Sequence, residues 1–328
     1  MALKSRVCLF EGTFRKYHGI ADYEKYLDAC ITASDDFMKN SGYSLYKTGS
    51  TPYQTLFSSL NAIQQEIVLA RDYNGTLNIR HDVQGFENTA SKGRPGLSKK
   101  IVNMYLNKNG SRFTDMQGYA TKVFFDECQN RDPRLAQSIL CDGATWPLVN
   151  GKPAAIDLSK SYRWGSGYFL TKFLDDRIDH RKGGTTYMDF PMMRYAEILL
   201  DYAEAENEAE DTNTAREKAI AQLNRIRRRA GITTDLLAAD YNQATLRERI
   251  RKERRVELCF EDHRFFDIRR WLIAKDVMRL PAVGIKKING EYQRVTLDTR
   301  NYNERMNLAP IPQDEVNNCP NIYQNPGY

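Results

Sequence analysis

Two neighbouring segments of the chain, residues 192–210 and 213–231, repeat their apolar residues every three or four positions. This spacing places the apolar side chains on one face of a helix, because an α-helix turns by about 100° per residue. Gly231 follows the second segment, at a position where helices commonly end. The apolar faces consist of Met192, Tyr195, Ala196, Leu199 and Ala203, and of Ala219, Leu223, Ile226 and Ala230. The opposite, polar face of the first segment carries Glu197, Asp201, Glu204 and Glu208. The two segments therefore predict a helical hairpin.

A second helical hairpin is predicted at the start of the chain. Apolar residues recur at helical spacing over residues 2–17 and again over residues 22–39, with Gly19 between the two segments. The hairpin of residues 192–231 has about the length of a tetratricopeptide unit, although the consensus residues of that repeat are only partly present. These patterns predict a mainly α fold.

Residues 42–190, between the two hairpins, have a different character. They are rich in Gly, Asn, Ser and aromatic residues, and they contain only short helical patterns such as YQTLFSSLNAI. A stretch of this length is too long for an ordinary connection, and long loops are usually functional. We therefore predict tetratricopeptide-like helical hairpins that support a loop-rich, irregular binding region. The predicted divisions are a hairpin (residues 1–41), the loop-rich ligand-binding region (42–190) and a C-terminal region (191–328), all within one integrated domain.

The composition argues against several classes of protein. The net charge of +6 comes from 48 basic and 42 acidic residues that are intermixed, which is weak support for nucleic-acid binding. No apolar run approaches the roughly 20 residues of a transmembrane helix. The four histidines are far apart, and neither C-x-x-C nor H-E-x-x-H spacing is present. We expect no metal site, no cofactor and no nucleic-acid partner, and we interpret the six scattered cysteines as mostly buried thiols.

The segment LRERIRKERRVELCFEDHRFFDIRRW, residues 246–271, is predicted to form the next helix and contains an unexpected pair of carboxylates. Glu253 and Glu257 lie one turn apart, where the apolar stripe begun by Leu246 and Ile250 should continue. Paired carboxylates occur in glycosidases, where they serve as acid, base or nucleophile. They also occur in structural networks of ion pairs.

The arginines around this pair favour the structural interpretation. Arg227 and Arg229 end the preceding helical segment, and Arg264 follows the glutamates in their own segment. Positive neighbours lower the pKa of a carboxyl group, whereas a general acid needs a raised pKa. We therefore predict that Glu253 and Glu257 form structural ion pairs with these arginines and that neither residue is catalytic.

Five motifs in the C-terminal region resemble, in order and spacing, the signature of the SusD/RagB family. They are RYAEILLDYAEAENE, LNRIRRRAGI, ERRVELCFEDHRFFDIRRW, LAPIPQDEV and QNPGY. The opening ALKSRVCLFEGTFRKYHG resembles one of that family's tetratricopeptide helices. Cys259 and Asp262 stand where small residues are commoner in the signature. The resemblance implies a helical scaffold without an enzymatic centre.

The resemblance also implies a role at the cell surface. Members of the family are Bacteroidetes lipoproteins of the outer membrane that face outward and capture nutrients, usually glycans, for a SusC-like TonB-dependent transporter. The signal peptide and lipid-bearing cysteine of a full member are not visible in this sequence. We therefore expect the chain to lack the N-terminal part of a full member, including its lipid anchor, and to contain no transmembrane segment.

The glycan-binding residues are expected in the loop-rich region. Sugars combine apolar C–H faces with hydroxyl groups, so proteins bind them with aromatic rings and with polar side chains such as Asn, Asp and Arg. Aromatic residues in Gly-rich or Asn-rich contexts are the candidates, namely Trp146, Trp164, Tyr162, Tyr119 and Tyr73. Each could instead be a packing residue, because large aromatic side chains usually bury most of their area. Trp271, which ends the arginine-rich segment, is predicted to lie in the core.

The sequence thus predicts a protein, not an enzyme, that captures oligo- or polysaccharides for a SusC-like transporter. Two alternatives remain open. An intracellular helical-repeat adaptor that binds a peptide or protein would fit the missing signal peptide, but it would not explain the QNPGY ending. A glycosidase would require two acidic residues of the loop-rich region to converge on a cleft.

Overall fold

The computed structural model describes residues 1–88, 95–122, 124–141, 146–149, 152–154, 165–175 and 184–328. Helices dominate the described residues, which confirms the mainly α fold. The first half contains α1 (Ala2–His18), α2 (Glu24–Asn40), α3 (Pro52–Ser58), β1 (Ile67–Arg71), α4 (Val83–Asn88), α5 (Lys99–Val102), α6 (Phe124–Cys128), α7 (Pro133–Ala136), β2 (Trp146–Val149) and β3 (Lys152–Ala154). The second half contains β4 (Phe190–Arg194), α8 (Tyr195–Ala209), α9 (Asn213–Arg229), α10 (Gln243–Glu257), α11 (His263–Arg270), α12 (Ala274–Met278), β5 (Ala282–Ile288), β6 (Glu291–Asp298) and α13 (Gln313–Asn318).

Helices α1 and α2 form the first hairpin. Gly19 ends α1 with a φ angle of 69°, a left-handed conformation that glycine adopts readily. The N–H of Ile20 then donates to the Arg15 carbonyl at 2.8 Å, which closes the helix end. A Cβ atom at Gly12 would lie 2.9 Å from the Leu27 side chain, so the glycine allows α1 and α2 to approach closely. Both helices also pack against α8.

Helices α8, α9 and α10 enclose the core of the C-terminal region. Ile198 and Leu199 of α8 pack with Leu223 and Ile226 of α9 and with Ile250 of α10, and all five side chains are buried. These residues carry the helical periodicity of the sequence, so the second hairpin forms where the pattern predicts it.

The acidic face of α8 does not face solvent. Glu197, Asp201, Glu204 and Glu208 are all buried. Met192, which the pattern places on the apolar face, lies in β4 before the helix and is 52% exposed. The carboxylates are buried because arginines of α1, α10 and α11 pack against them, so ion pairs replace their contacts with water.

The prediction of one continuous helix over residues 246–271 is wrong. Helix α10 ends at Glu257, and α11 begins at His263 after a tight turn. Phe260 and Asp262 in this turn have φ angles of 60° and 65°. Few non-glycine residues adopt such left-handed angles, so the surrounding structure must stabilise the break.

Donors from other parts of the chain stabilise this break. The Tyr53 hydroxyl and an Arg194 nitrogen donate to the Glu257 carbonyl at 2.6 and 2.7 Å. Lys172 Nζ donates to the Cys259 carbonyl at 2.6 Å. These carbonyls would bond to N–H groups of the next turn if α10 continued, so the external donors replace those bonds.

Three antiparallel strand pairs complete the described fold. β1 pairs with β4, and this pair connects the middle of the chain to the start of α8. β2 pairs with β3 through Trp146 and Ala154. β5 and β6 form a hairpin whose turn contains Asn289 and Gly290, with φ angles of 51° and 86°. Positive φ at both positions is typical of a type I′ turn.

Candidate functional site

Tyr73 lies in an aromatic and basic surface, the Tyr73 patch, formed by Arg71, Tyr73, Arg80, His81 and Tyr187. All five residues are half-buried or exposed. The Tyr73 ring packs edge-on against His81, with ring centres 4.4 Å apart, and the Arg71 guanidinium lies 5.9 Å from the centre of the tyrosine ring. The Tyr73 N–H donates to Asp189 Oδ1 at 2.9 Å. This bond fixes the loop, so the ring is held at the surface of the described structure.

Tyr187 forms the other side of the Tyr73 patch. A Cβ atom at Gly75 would lie 3.2 Å from the Tyr187 ring, so glycine lets this ring pack on the loop backbone. The Arg80 guanidinium lies 6.0 Å from the Tyr187 ring centre. Burial lowers the pKa of His81, so its imidazole is neutral at neutral pH. The patch combines flat rings with guanidinium donors, which is the chemistry that sugar binding requires.

Tyr119 occupies a different position in the loop-rich region. It is half-buried, and its ring packs edge-on against Phe113, with ring centres 5.9 Å apart. Arg294 of β6 donates to the Tyr119 carbonyl at 3.3 Å. The Arg131 guanidinium lies 3.7 Å from the Phe113 ring centre, so a cation–π interaction also holds this aromatic pair.

The other three aromatic candidates lie wholly or partly outside the described residues. The backbone of Trp146 begins β2, whereas its side chain lies outside the described part of the structure. Tyr162 and Trp164 also lie outside the described residues. Tyr73 and Tyr119, the two candidates with described side chains, contact different neighbours.

Glu257 is fully buried and surrounded by three guanidinium groups. Arg134 Nη1 and Arg194 Nη1 donate to its carboxylate at 2.7 and 2.6 Å, and Arg229 Nη2 donates to the same oxygen as Arg194. Burial alone would raise the pKa of Glu257, but the charges of Arg229, Arg194 and Arg134 outweigh it and hold the pKa well below its ordinary value. Glu257 is therefore an ionised structural residue that has no proton to donate.

Glu253 lies one turn before Glu257 and is also buried. Arg249 Nη2 donates to one of its oxygens at 2.7 Å, and Arg134 Nη2 lies 2.7 Å from the other. Burial opposes ionisation, but the charges of Arg134, Arg249 and Arg227 lower the pKa of Glu253. Two ionised, enclosed carboxylates cannot act as the acid and base of a glycosidase, because that pair needs one protonated group and access to substrate.

The three arginines that the sequence places near the glutamates have different surroundings. Arg229 contacts Glu257 directly. Arg227 donates to the Thr234 carbonyl at 2.8 Å, and its charge acts on Glu253 from nearby. Arg264 lies instead beside Asp267 on its own helix, where burial lowers its pKa to about 10.

Sequence reasoning missed Arg134 and Arg194, although both are fully buried and contact Glu257. Arg134 lies in D-P-R, where Asp132 caps α7 and its carboxylate also accepts from the Arg134 side chain at 2.7 Å. This tripeptide predicts the start of a helix, since Asp caps helices and Pro favours their first turn. It carries no information about a partner far along the chain, so the contact with Glu257 was not predictable from it.

A second buried network joins α8 to α1, α10 and α11. Arg6 makes a two-pronged ion pair with Glu197, and Arg270 makes another with Glu204. Trp271 Nε1 donates to Glu204 at 2.6 Å, and the tryptophan is buried as predicted. The signature helices are thus joined by charge pairs as well as by apolar packing.

The described residues offer no sign of a metal site or a membrane span. Among them, no group of three or more His, Cys, Asp or Glu side chains is arranged to hold a metal ion. No helix in the described part is both long enough and apolar enough to cross a membrane.

The fold and the buried networks define a class of protein, a helical scaffold that presents irregular loops and encloses its paired carboxylates. Comparison with known proteins identifies the family. The SusD family matches residues 64–328. Because this match covers most of the sequence, the chain belongs to the SusD family, which confirms the resemblance of the C-terminal motifs.

Individual relatives agree with this assignment. SusD-like protein P2 of Formosa agariphila is 33% identical over 155 residues, which is 45% of this chain and 27% of the relative. A crystal structure of a SusD-like protein from Bacteroides fragilis superposes with a TM-score of 0.77 at 25% identity, covering 100% of this chain and 64% of that one. A second Bacteroides fragilis structure, of a SusD-like carbohydrate-binding protein, has a TM-score of 0.70 at 21% identity and covers 98% and 64%. The chain spans less than two thirds of each of these relatives.

Proposed function

We propose that this chain is part of a cell-surface protein that captures glycans without cleaving them and delivers them to a SusC-like TonB-dependent transporter. Membership of the SusD family carries the proposal. A similarly folded Bacteroides fragilis protein is described as carbohydrate-binding, which supports a glycan as the ligand.

The Tyr73 patch is the proposed contact surface for the glycan within the described residues. Its rings can pack on the C–H faces of sugars, and Arg71 and Arg80 can donate to hydroxyl groups. Tyr119, Trp146, Tyr162 and Trp164 remain candidates for the same role.

A binding role without catalysis is supported by the state of Glu253 and Glu257. Each carboxylate is enclosed by arginines that lower its pKa, so neither can donate a proton to a glycosidic oxygen. The conspicuous acidic pair of the sequence is therefore used for stability. The glycosidase alternative loses its first candidate residues as a result.

The proposal includes an outward-facing position at the outer membrane. The relatives are longer than this chain, and a lipid anchor at the N-terminus of a longer protein would hold it at the membrane surface. The protein would then bind the glycan with its loops and the transporter with another surface, which would allow it to deliver the glycan to the transporter. Co-isolation of a SusC-like transporter with the tagged full-length protein from detergent-solubilised outer membranes tests this part of the proposal.

Glycan binding is tested on an array of plant, algal and host oligosaccharides, followed by calorimetric titration of the best ligand. Tyr73→Ala should weaken the binding of that ligand by roughly twofold to tenfold, since an aromatic contact of about 0.5–1.5 kcal/mol is lost. Tyr26→Ala is the matched control, because Tyr26 is also half-buried beside an arginine, with Arg15 5.1 Å from its ring centre, but lies on α2. No binding to any glycan, or equal weakening by both variants, would contradict the proposed site.

A further inference from the structure

A cavity of about 330 Å³ lies between α5, α10 and α11, apart from the residues of the Tyr73 patch. Its apolar lining includes Leu97, Ile101, Leu258 and Phe260. Phe265 stands at the same cavity and is 52% exposed, which is unusual for a phenylalanine. The volume is at the lower end of the range for ligand pockets, about 300–1,000 Å³, so the cavity suits a small ligand or one residue of a larger one.

Two arginines of this cavity have no partner within the described part of the chain. Arg255 and Arg264 line the cavity, and neither makes a hydrogen bond or an ion pair with another residue in the described ranges. Arg255 Nε is buried, again without a partner among the described residues. The neighbouring charges that act on Arg255 are those of Arg264 and Arg300, and Lys100 faces the same three arginines. Positive charge is therefore concentrated at one place.

The pKa values reflect this concentration. Burial, and then the charge of Arg264, lowers the pKa of Arg255 to about 9. Burial together with Arg255, Arg264 and Arg300 lowers the pKa of Lys100. Arg255 and Arg264, with pKa values lowered to about 9 and about 10, still carry a positive charge at pH 7, so each experiences a repulsion that an anion would relieve.

The acidic residues at the cavity compensate these cations only in part, since the charge of Asp267 acts on Arg264 from nearby. Asp267 is already bound by Arg254 and Arg270, at 3.2 and 2.8 Å. Asp262 lines the cavity but is exposed. The pKa of His263 is lowered to about 3 by burial and by Arg254, so this side chain contributes no charge at neutral pH. The cations therefore remain in excess.

Elsewhere the protein partners its buried arginines. Arg134, Arg194, Arg254 and Arg270 each contact at least two carboxylates. Arg131 donates to several backbone carbonyls. Buried charges without partners are costly. Arg255 and Arg264 are half-buried and have no partner in the described ranges, so their guanidinium groups are available to a partner from outside.

We propose that this cavity binds the anionic group of an acidic sugar, a carboxylate or a sulfate ester, through the guanidinium groups of Arg255 and Arg264. Guanidinium groups bind such oxyanions with two parallel hydrogen bonds. The apolar lining and Phe265 contact the C–H face of the ring. The anion is inferred from this geometry alone, whereas the sugar as its carrier rests on the proposed glycan capture.

The test is a titration at low ionic strength with D-glucuronate, glucose 6-sulfate, glucose and sodium sulfate, followed by saturation-transfer NMR and calorimetry. The two acidic sugars should bind, and glucose should bind at least about tenfold more weakly, because it lacks the charge-assisted bonds. Affinity for the acidic sugars should fall as salt is added. Sodium sulfate should compete less well than glucose 6-sulfate, because it lacks a ring for the apolar lining.

Arg255→Gln and Arg264→Gln should each weaken the binding of the acidic sugars by about tenfold or more. Lys252→Gln is the matched control, since Lys252 lies on the same helix, loses the same charge and lines a different cavity. Thermal unfolding shows that each variant is folded. The proposal is overturned if glucose binds as tightly as glucuronate, if both arginine variants retain full affinity, or if sodium sulfate binds as tightly as glucose 6-sulfate.

This outcome can be separated from the outcome of the glycan array. Tyr73→Ala tests the Tyr73 patch, and the arginine variants test the cavity. If array binding fails while glucuronate still depends on Arg255, the cavity proposal stands and the proposed capture surface fails. If the array ligands depend on Tyr73 while no acidic sugar depends on Arg255 or Arg264, only the cavity proposal fails.

Discussion

Arg254 and Arg255 are neighbours on α10, yet their surroundings are opposite. Arg254 is buried and donates to Asp201 at 2.6 Å and to Asp267 at 3.2 Å. Arg255 contacts no carboxylate among the described residues and faces Arg264 and Arg300. Burial lowers the pKa of both groups, but the two carboxylates raise that of Arg254 well above its ordinary value, whereas the pKa of Arg255 falls to about 9.

The difference shows how one helix can serve two purposes. Both side chains line the cavity beside α5, but the Arg254 guanidinium reaches Asp201 and Asp267, whereas the Arg255 guanidinium contacts no carboxylate in the described ranges. A buried charge stabilises a fold only when its partners are in place. Arg254 therefore has a structural role, whereas the guanidinium group of Arg255 is available to a ligand.

Of the substitutions that test this comparison, Arg254→Gln should have the largest effect on the stability of the protein. Asp201 would remain buried after losing its guanidinium partner, so the free energy of unfolding should fall by about 3–5 kcal/mol. Urea unfolding at pH 7 measures the change. Glu248→Gln serves as the control on the same helix, because the Glu248 side chain is 62% exposed and its substitution should change stability by less than about 0.5 kcal/mol.

Acid should remove about 2 kcal/mol or more of the stability that the ion pairs of Glu257 and Asp267 contribute. The pKa values of Glu257 and Asp267 are lowered in the folded protein, because arginine charges outweigh the effect of burial. At these two residues the unfolded chain therefore takes up protons first, near pH 4, so the stability that they contribute is complete above that pH and falls as the pH decreases. Glu197 acts in the opposite direction at higher pH, because burial raises its pKa to about 7. Urea unfolding from pH 6.5 to 3.5 should show this slope, and Glu257→Gln should make it shallower. If the pH dependence of stability were unchanged in that variant, the lowered pKa of Glu257 would be contradicted.

Trp271→Phe should cost about 1.5–3 kcal/mol, since the indole N–H that donates to Glu204 is lost while an aromatic ring is kept. Thermal and urea unfolding measure this loss. Phe265→Leu is a useful control, because Phe265 is an exposed aromatic of the neighbouring helix α11 and should change stability little. Equal effects of the two substitutions would show that ring packing, rather than the bond to Glu204, is the main contribution.

Arg255→Gln should change stability least, and in the opposite direction. Removal of this cation relieves repulsion by Arg264 and Arg300, so the ligand-free protein should become more stable by about 0.5–2 kcal/mol. The gain should shrink at high salt, where the repulsion is screened. If this variant were less stable, Arg255 would have a structural partner, and it would no longer differ from Arg254 in this respect.

Much of the helical scaffold could be predicted from local pattern. The apolar spacing of residues 192–231 predicts α8 and α9, and Gly19 marks the end of α1. The turn at Asn289 and Gly290 is also a recognisable local signal for the β5–β6 hairpin. Such features depend on residues close together in the chain, so the sequence contains them in full.

The candidate sites were predictable only in part. The arginine-rich context indicated that Glu253 and Glu257 would be paired, and Arg229 does contact Glu257. Arg134 and Arg194 come from distant parts of the chain, so no spacing identifies them as partners of the same carboxylate. The aromatic composition of the loops suggested Tyr73, but not the contact with His81 that positions its ring.

By itself, the sequence determined the family and the positions of the main helices, because periodicity, caps and signature motifs are local properties. Only the tertiary structure decided that the acidic face of α8 is buried and that the helix breaks after Glu257. It also decided that Arg254 is paired with carboxylates while Arg255 contacts none in the described ranges. The physical reason is that the energy of a charge depends on its neighbours in space and on its exposure to water. Residues distant in sequence supply those neighbours, and folding alone brings them together.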